Sequence, residues 1–241
     1  MKTTSELMAE AFERARNQWR RSSNEVLEMV PAKRLPAYAV AISREAGTGG
    51  ASVAQAVGKR LGWTVYDHEL LDKISGETGL RTELLESLDE KRSHWLLDWL
   101  EAFGGVRKIS GGTYARHVAE SMLALSVHGN CVILGRGATM VLPPETTIRV
   151  RLMAPIEYRI AQVCGEQGVK ENLAKQYIER TDKDRSAFVE QFFHRDVEDV
   201  HLYDLVINMS RYSIVDATGL IVDALDRLRA TQQARMEPVT V

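Results

Sequence analysis

The chain has 241 residues, with 31 Lys plus Arg against 33 Asp plus Glu and a formal net charge of -2. A nucleic-acid binder shows a clear basic excess, so this near balance argues against nucleic acid as a partner. The length fits one main α/β core carrying a lid or an extension.

The opening stretch MKTTSELMAEAFERARNQWRR is charged throughout and lacks the apolar centre of a signal peptide. Residues 5–30 carry Leu7, Met8, Ala11, Phe12, Ala15, Trp19, Val26, Leu27 and Val30 at roughly helical spacing, ending at Pro31. They predict an amphipathic N-terminal extension over residues 1–36. Its pattern leaves three uses open: packing on the core, pairing in a homodimer through this helix, or loose attachment. Residues 37–42 (AYAVAI) predict a buried parallel strand. Val53, Ala54, Val57 and Leu61 then form a helix stripe closed by Gly62, and Thr64-Val65-Tyr66 reads as a second strand.

Residues 68–128 read as a helical insertion with glycine breaks at Phe103-Gly104-Gly105 and Ser110-Gly111-Gly112. Trp95, Trp99 and Phe103 share one helix face, suited to core packing or to a ligand platform. Residues 131–134, 147–153 and 205–208 predict three more strands, with helices after the last two. This alternation implies a parallel sheet with helices on both faces. Cys131 sits in an apolar run and Cys164 at a helix end, without CxxC spacing, so free thiols in a reducing compartment are expected. No stretch reaches membrane-spanning length, which predicts a cytoplasmic protein with no membrane partner. A flexible tail is expected over residues 231–241.

The chemistry concentrates in Ser43-Arg44-Glu45-Ala46-Gly47-Thr48-Gly49-Gly50-Ala51-Ser52, between the first strand and its helix. Glycines there let successive N–H groups turn toward one anion, and the helix N-terminus adds partial positive charge. The stretch departs from GxxxxGK[ST], because Gly50 takes the lysine position. Ser52 could cap the helix or hold Mg2+. His68, His94, His117, His128, His194 and His201 form no HExxH pairing, and Gly165 with Gly168 forms no dinucleotide fingerprint, so metallohydrolase and hydride-transfer chemistry are disfavoured.

The motifs AISREAGTGGASVA, LGWTVYDHELL, VILGRGATMVLPP, APIEYRIAQV, IERTDKDRSAF and YDLVINMS follow one another in order. Together they resemble the cytidylate-kinase-like branch of the P-loop nucleoside monophosphate kinases, over most of the chain. The resemblance implies an α/β P-loop kinase-type fold with a five-stranded parallel sheet. It implies a kinase-like domain over 37–230, in which 68–128 is a helical acceptor-binding insertion and about 155–200 a helical lid. It also implies ATP and Mg2+ as cofactors and a small nucleotide or phosphorylated acceptor as partner.

By the same resemblance Arg44, Gly47, Thr48, Gly49, Gly50, Ala51 and Ser52 bind ATP, with Ser52 on the metal. Arg136, Arg159, Arg180 and Arg185 are the catalytic arginines, and Asp67, Arg136, Arg180 and Asp184 bind the acceptor. Read locally, Asp67 is as well suited to a helix N-cap, Arg180 with Asp184 to an exposed i,i+4 pair, and Asn208 to strand termination or the adenine border. Four positions differ from a standard cytidylate kinase: Gly50, Leu134 before the Gly135-Arg136 motif, Gly137 after it, and Ala187. Base identity stays open, and Arg44 is the candidate substitute cation. The expected function is ATP-dependent phosphoryl transfer. The alternative is a nucleotide-binding regulatory or interaction protein with little turnover.

Overall fold

The computed structural model describes residues 37–86, 88 and 113–236, with Glu10, Glu13, Arg14 and Asn17 ahead of them. Most of the N-terminal pattern, the face of Trp95, Trp99 and Phe103, both glycine breaks and the end of the tail lie outside the described residues.

The elements run β1 (Ala39–Arg44), α1 (Gly50–Leu61), β2 (Thr64–Tyr66), α2 (His68–Gly76), α3 (Thr78–Glu86), α4 (Thr113–His128) and β3 (Cys131–Leu134). They continue with the short α5 (Ala138–Val141), β4 (Thr147–Met153), α6 (Ile156–Gln167), α7 (Glu171–Phe193), a 3-10 turn (Val200–Leu202), β5 (Leu205–Asn208) and α8 (Ile214–Met236). The five strands form one parallel sheet in the order β2-β3-β1-β4-β5. Four strands coincide with the sequence expectation. β1 begins and ends later than expected, because Ser43 and Arg44 extend the ladder opposite Arg151 and Leu152. The last helix runs to Met236, into the segment expected as a tail.

Strand alternation builds a core on each face. Ala39, Ala41, Cys131 and Ile133 point to one side, where Leu71 and Ile74 of α2 and Met122 and Leu123 of α4 cover them. Val40, Ile42, Val132 and Leu134 point to the other, against Val53 and Val57 of α1 and Ile221 and Leu225 of α8. Continuous burial on both faces is why β1 and β3 carry apolar runs rather than alternating polar residues. The chain passes from β3 on one side of β1 to β4 on the other, which opens a crevice at their carboxyl ends where ligands of such sheets bind. Among the described residues no helix is long and apolar enough to cross a membrane.

Candidate phosphate-binding site

The loop after β1 leads directly into the N-terminus of α1. Gly47 and Gly49 adopt positive φ of 79° and 69°. Gly49 is the N-cap of α1, no side chain caps the helix, and its first turn carries no acid. The amides that a cap would satisfy are thereby left for an anion. Ser52 stands exposed on this first turn and does not cap the helix, the first of its two alternatives. The Thr48 hydroxyl is turned inward, donating to the Glu45 carbonyl at 2.8 Å. Ala51 is exposed beside Ser52, and Gly50 is buried.

A cleft of about 420 Å³ lies at the carboxyl ends of β1 and β3, under the face of α7 that carries Tyr177, Thr181, Asp184, Arg185 and Phe188. Arg44, Arg136, Arg151 and Arg185 all line it. Arg136 sits in a run of three left-handed residues, with φ of 85° at Gly135, 51° at Arg136 and 74° at Gly137. A non-glycine residue in that region costs about 1–3 kcal/mol, which the flanking glycines and the Gly135 N–H bond to Ile42 O at 2.9 Å hold in place. The turn aims the guanidinium at Asp72 of α2: Nε donates to Oδ1 at 3.1 Å, and Nη2 donates to Oδ2. Tyr114 of α4 also donates to Asp72, at 2.6 Å, and Phe188 lies 5.1 Å beneath the Arg136 guanidinium carbon.

Arg185 of α7 donates to the Arg44 carbonyl at 3.3 Å. Arg151 of β4 donates to the Ser43 hydroxyl at 2.9 Å and stands 4.0 Å from Glu45. Among the described residues, no hydrogen bond or ion pair engages the Arg44 guanidinium. Burial first, then the like charges of Arg185 and Arg136, push Arg44 down to about 9, against smaller support from Asp67 and Tyr177. Burial also lowers Arg185 from its ordinary value. Arg136 and Arg151 have carboxylate neighbours in Asp72 and Glu45, whereas among the described residues no ion pair engages Arg44 or Arg185, which makes the cleft a candidate anion site.

The sign of the Arg44 shift yields a stability expectation. The unfolded chain holds this proton more firmly, so the folded state carries a full cost below about pH 9 that is relieved as pH rises further. Arg44→Met keeps the stem and removes the charge. It is expected to raise the melting temperature at pH 7 by about 2–4 °C. The gain should shrink above about pH 9, as thermal scans across that range would read.

The other expected residues fall differently. Arg159 lies behind the loop, not in the cleft. It donates to Asp182 Oδ2 at 2.5 Å, its Nε stands 3.5 Å from Glu45, and its side chain is 12% exposed. Asp182 Oδ1 in turn accepts the Ala46 N–H at 2.7 Å, docking α7 on the loop. Arg180 does not converge on the cleft. It projects outward with an 85% exposed side chain, at 3.9 Å from Asp184, as the i,i+4 alternative anticipates. Asp184 itself lines the cleft. Asp67 caps α2, accepting the Leu70 N–H at 3.0 Å. Asn208 accepts from the Ser210 N–H and hydroxyl just after β5, at 3.0 and 2.8 Å.

Sequence reasoning missed Asp72, Tyr114, Arg151 and Asp182. Only Arg151 had a local signal, an arginine inside an inner parallel strand, where a charge is costly without a purpose.

The model described as the cytidylate kinase-like family matches residues 39–211. A cytidylate kinase of Methanocaldococcus jannaschii is 28% identical over 118 residues, covering 46% of this chain and 65% of the relative. One from Methanoculleus marisnigri is 29% identical over 105 residues, 44% of this chain and 57% of the relative. The matched region thus spans less than two thirds of these two relatives. A cytidylate kinase of Halobacterium salinarum is 22% identical over 200 residues, covering 83% of this chain and 95% of its own. Among solved structures, an uncharacterized protein from Eubacterium ventriosum shares the fold with a TM-score of 0.61 at 24% identity, over 79% of this chain and 98% of that one. Since the family model covers the sheet, the glycine loop and the arginine-lined cleft together, the chain belongs to the cytidylate kinase-like family.

Proposed function

We propose that this protein transfers the terminal phosphoryl group of ATP, with Mg2+, to a cytidylate-like nucleoside monophosphate or another small phosphorylated acceptor. The observation that carries the reading is the convergence of Arg44, Arg136 and Arg185 on one cleft, which residues 47–52 do not line but which the Arg44 stem, packed against Gly50, joins to the glycine loop. Phosphoryl transfer needs polyanions held in line and neutralised, and such a cleft suits that task. The names of the curated relatives point the same way.

In this mechanism the loop amides from Gly47 to Ser52 hold the donor phosphates, and Arg159 pins the loop from behind. Arg136 exchanges Asp72 for the acceptor phosphate, to which its fork is equally suited. Arg44 and Arg185 stabilise charge on the moving group. The acceptor oxygen is already anionic, so no general base is required. Asp184 and Asp67 border the acceptor, and Arg180 reaches it only after α7 moves. The Ser52 hydroxyl, exposed on the first turn of α1, is the side chain that would contact an ion carried mainly by the phosphates. When bound, Mg2+ neutralises the donor oxygens. A cytoplasmic location, where nucleotide pools reside, goes with this reading.

A coupled assay with ATP, Mg2+ and CMP, dCMP, UMP, AMP or GMP tests it. Turnover of at least one acceptor, abolished by EDTA, is expected. Tight ATP binding with no acceptor phosphorylated would point instead to a regulatory nucleotide-binding protein.

A further inference from the structure

The absence of a loop lysine has a steric counterpart. A Cβ at Gly50 would stand 2.7 Å from Arg44 Cγ and 2.9 Å from Arg44 Cβ. The obstacle is the root of the arginine stem, which cannot swing aside as a side-chain tip can. At its far end Arg44 Nη1 rests on Gly135, where a Cβ would overlap it. The Arg44 side chain therefore crosses directly over residue 50 and ends at the turn that presents Arg136. Gly50 has no positive φ, so its backbone does not itself demand glycine.

We propose that Arg44 and Gly50 form a matched pair: the arginine stem occupies the space a side chain at residue 50 would need, and its guanidinium supplies the phosphate-binding charge that a loop lysine would bring. The charge enters from β1 and is set between the glycine loop and the Gly135–Gly137 turn. Lysine at residue 50 and arginine at residue 44 are mutually exclusive. This rests on the phosphate-site reading of the cleft, not on the identity of the acceptor. The depressed pKa of Arg44 fits a cation kept without a protein partner.

A mutant cycle tests the pair, with tripolyphosphate affinity by calorimetry and melting temperature as readouts. Arg44→Ala is expected to weaken tripolyphosphate binding at least tenfold. Gly50→Lys alone should lower both affinity and melting temperature. Arg44→Ala with Gly50→Lys should recover affinity to within a few-fold of the unmodified protein. Gly50→Ala keeps the cycle informative if Gly50→Lys does not fold. It should lower the melting temperature clearly when Arg44 is present and much less in the Arg44→Ala background, where the 2.7 Å contact with Cγ is gone and only the 2.9 Å contact with Cβ remains. Additive effects, or a Gly50→Lys protein that binds tripolyphosphate normally with Arg44 intact, would overturn the pairing. If the cycle behaves as expected while no acceptor is phosphorylated, the pairing stands and the kinase reading falls. If acceptors are phosphorylated but the cycle is additive, the reverse holds.

Discussion

Arg136→Ala is expected to lower kcat/KM by about 10²–10³-fold, the loss typical of deleting one preorganised donor to developing charge. The features around this residue fix its position at the cost of one strained backbone conformation. Its backbone is left-handed, its guanidinium is aimed by Asp72, and Phe188 supports the planar face. Arg136→Lys retains the charge but loses the fork, so an intermediate loss is expected. Steady-state kinetics on the best acceptor, with circular dichroism to verify folding, make the measurement. Turnover within threefold of the unmodified protein would remove Arg136 from the mechanism.

Gly47→Ala is expected to destabilise the protein by about 2–4 kcal/mol, the sum of two independent penalties. At a φ of 79° an alanine is strained whatever its surroundings. Its Cβ would also lie 2.7 Å from the Arg159 carbonyl oxygen, a backbone atom of α6 that cannot rotate away. Denaturant unfolding should show a reduced midpoint with little change in slope. Tripolyphosphate affinity should fall as well, since separating the loop from α6 disturbs the amides that bind anions. A stability change below about 0.5 kcal/mol, the range of an ordinary surface substitution, would show that the loop and α6 are not in fixed contact.

The sheet was legible because β1 and β3 are buried on both faces and so carry short apolar runs, while β4 alternates buried apolar residues with Arg149 and Arg151. Thr64–Tyr66, Cys131–Leu134, Thr147–Met153 and Leu205–Asn208 needed no distant information. Residues 43 and 44 escaped because polar side chains at a strand end look like a loop, although backbone pairing with Arg151 and Leu152 continues through them. Within the site, Arg136 was legible from the apolar run and glycine before it. Asp72 was not, since it lies 64 residues away on a helix whose local pattern is that of any charged surface. Asp182 was hidden for the same reason, among the charges of Glu179-Arg180-Thr181-Asp182-Lys183-Asp184-Arg185. Sequence spacing placed Arg180 with Asp184 on one helix face correctly, but it could not say that Arg180 points to solvent while Asp184 borders the cleft.

Asp182, docked on the Ala46 N–H and on Arg159, is an internal anion already held at this end of the loop. A carboxylate tethered to the same fold acts at an effective concentration of about millimolar or above. A single weak anion such as chloride gains one contact and must displace an internal rival to do so. A triphosphate bound as proposed would reach the remaining amides at the same time and offset that displacement with several contacts at once. On the phosphate-site reading, the docked acid would thus favour multivalent ligands, discriminating by the number of contacts offered rather than by the strength of any one.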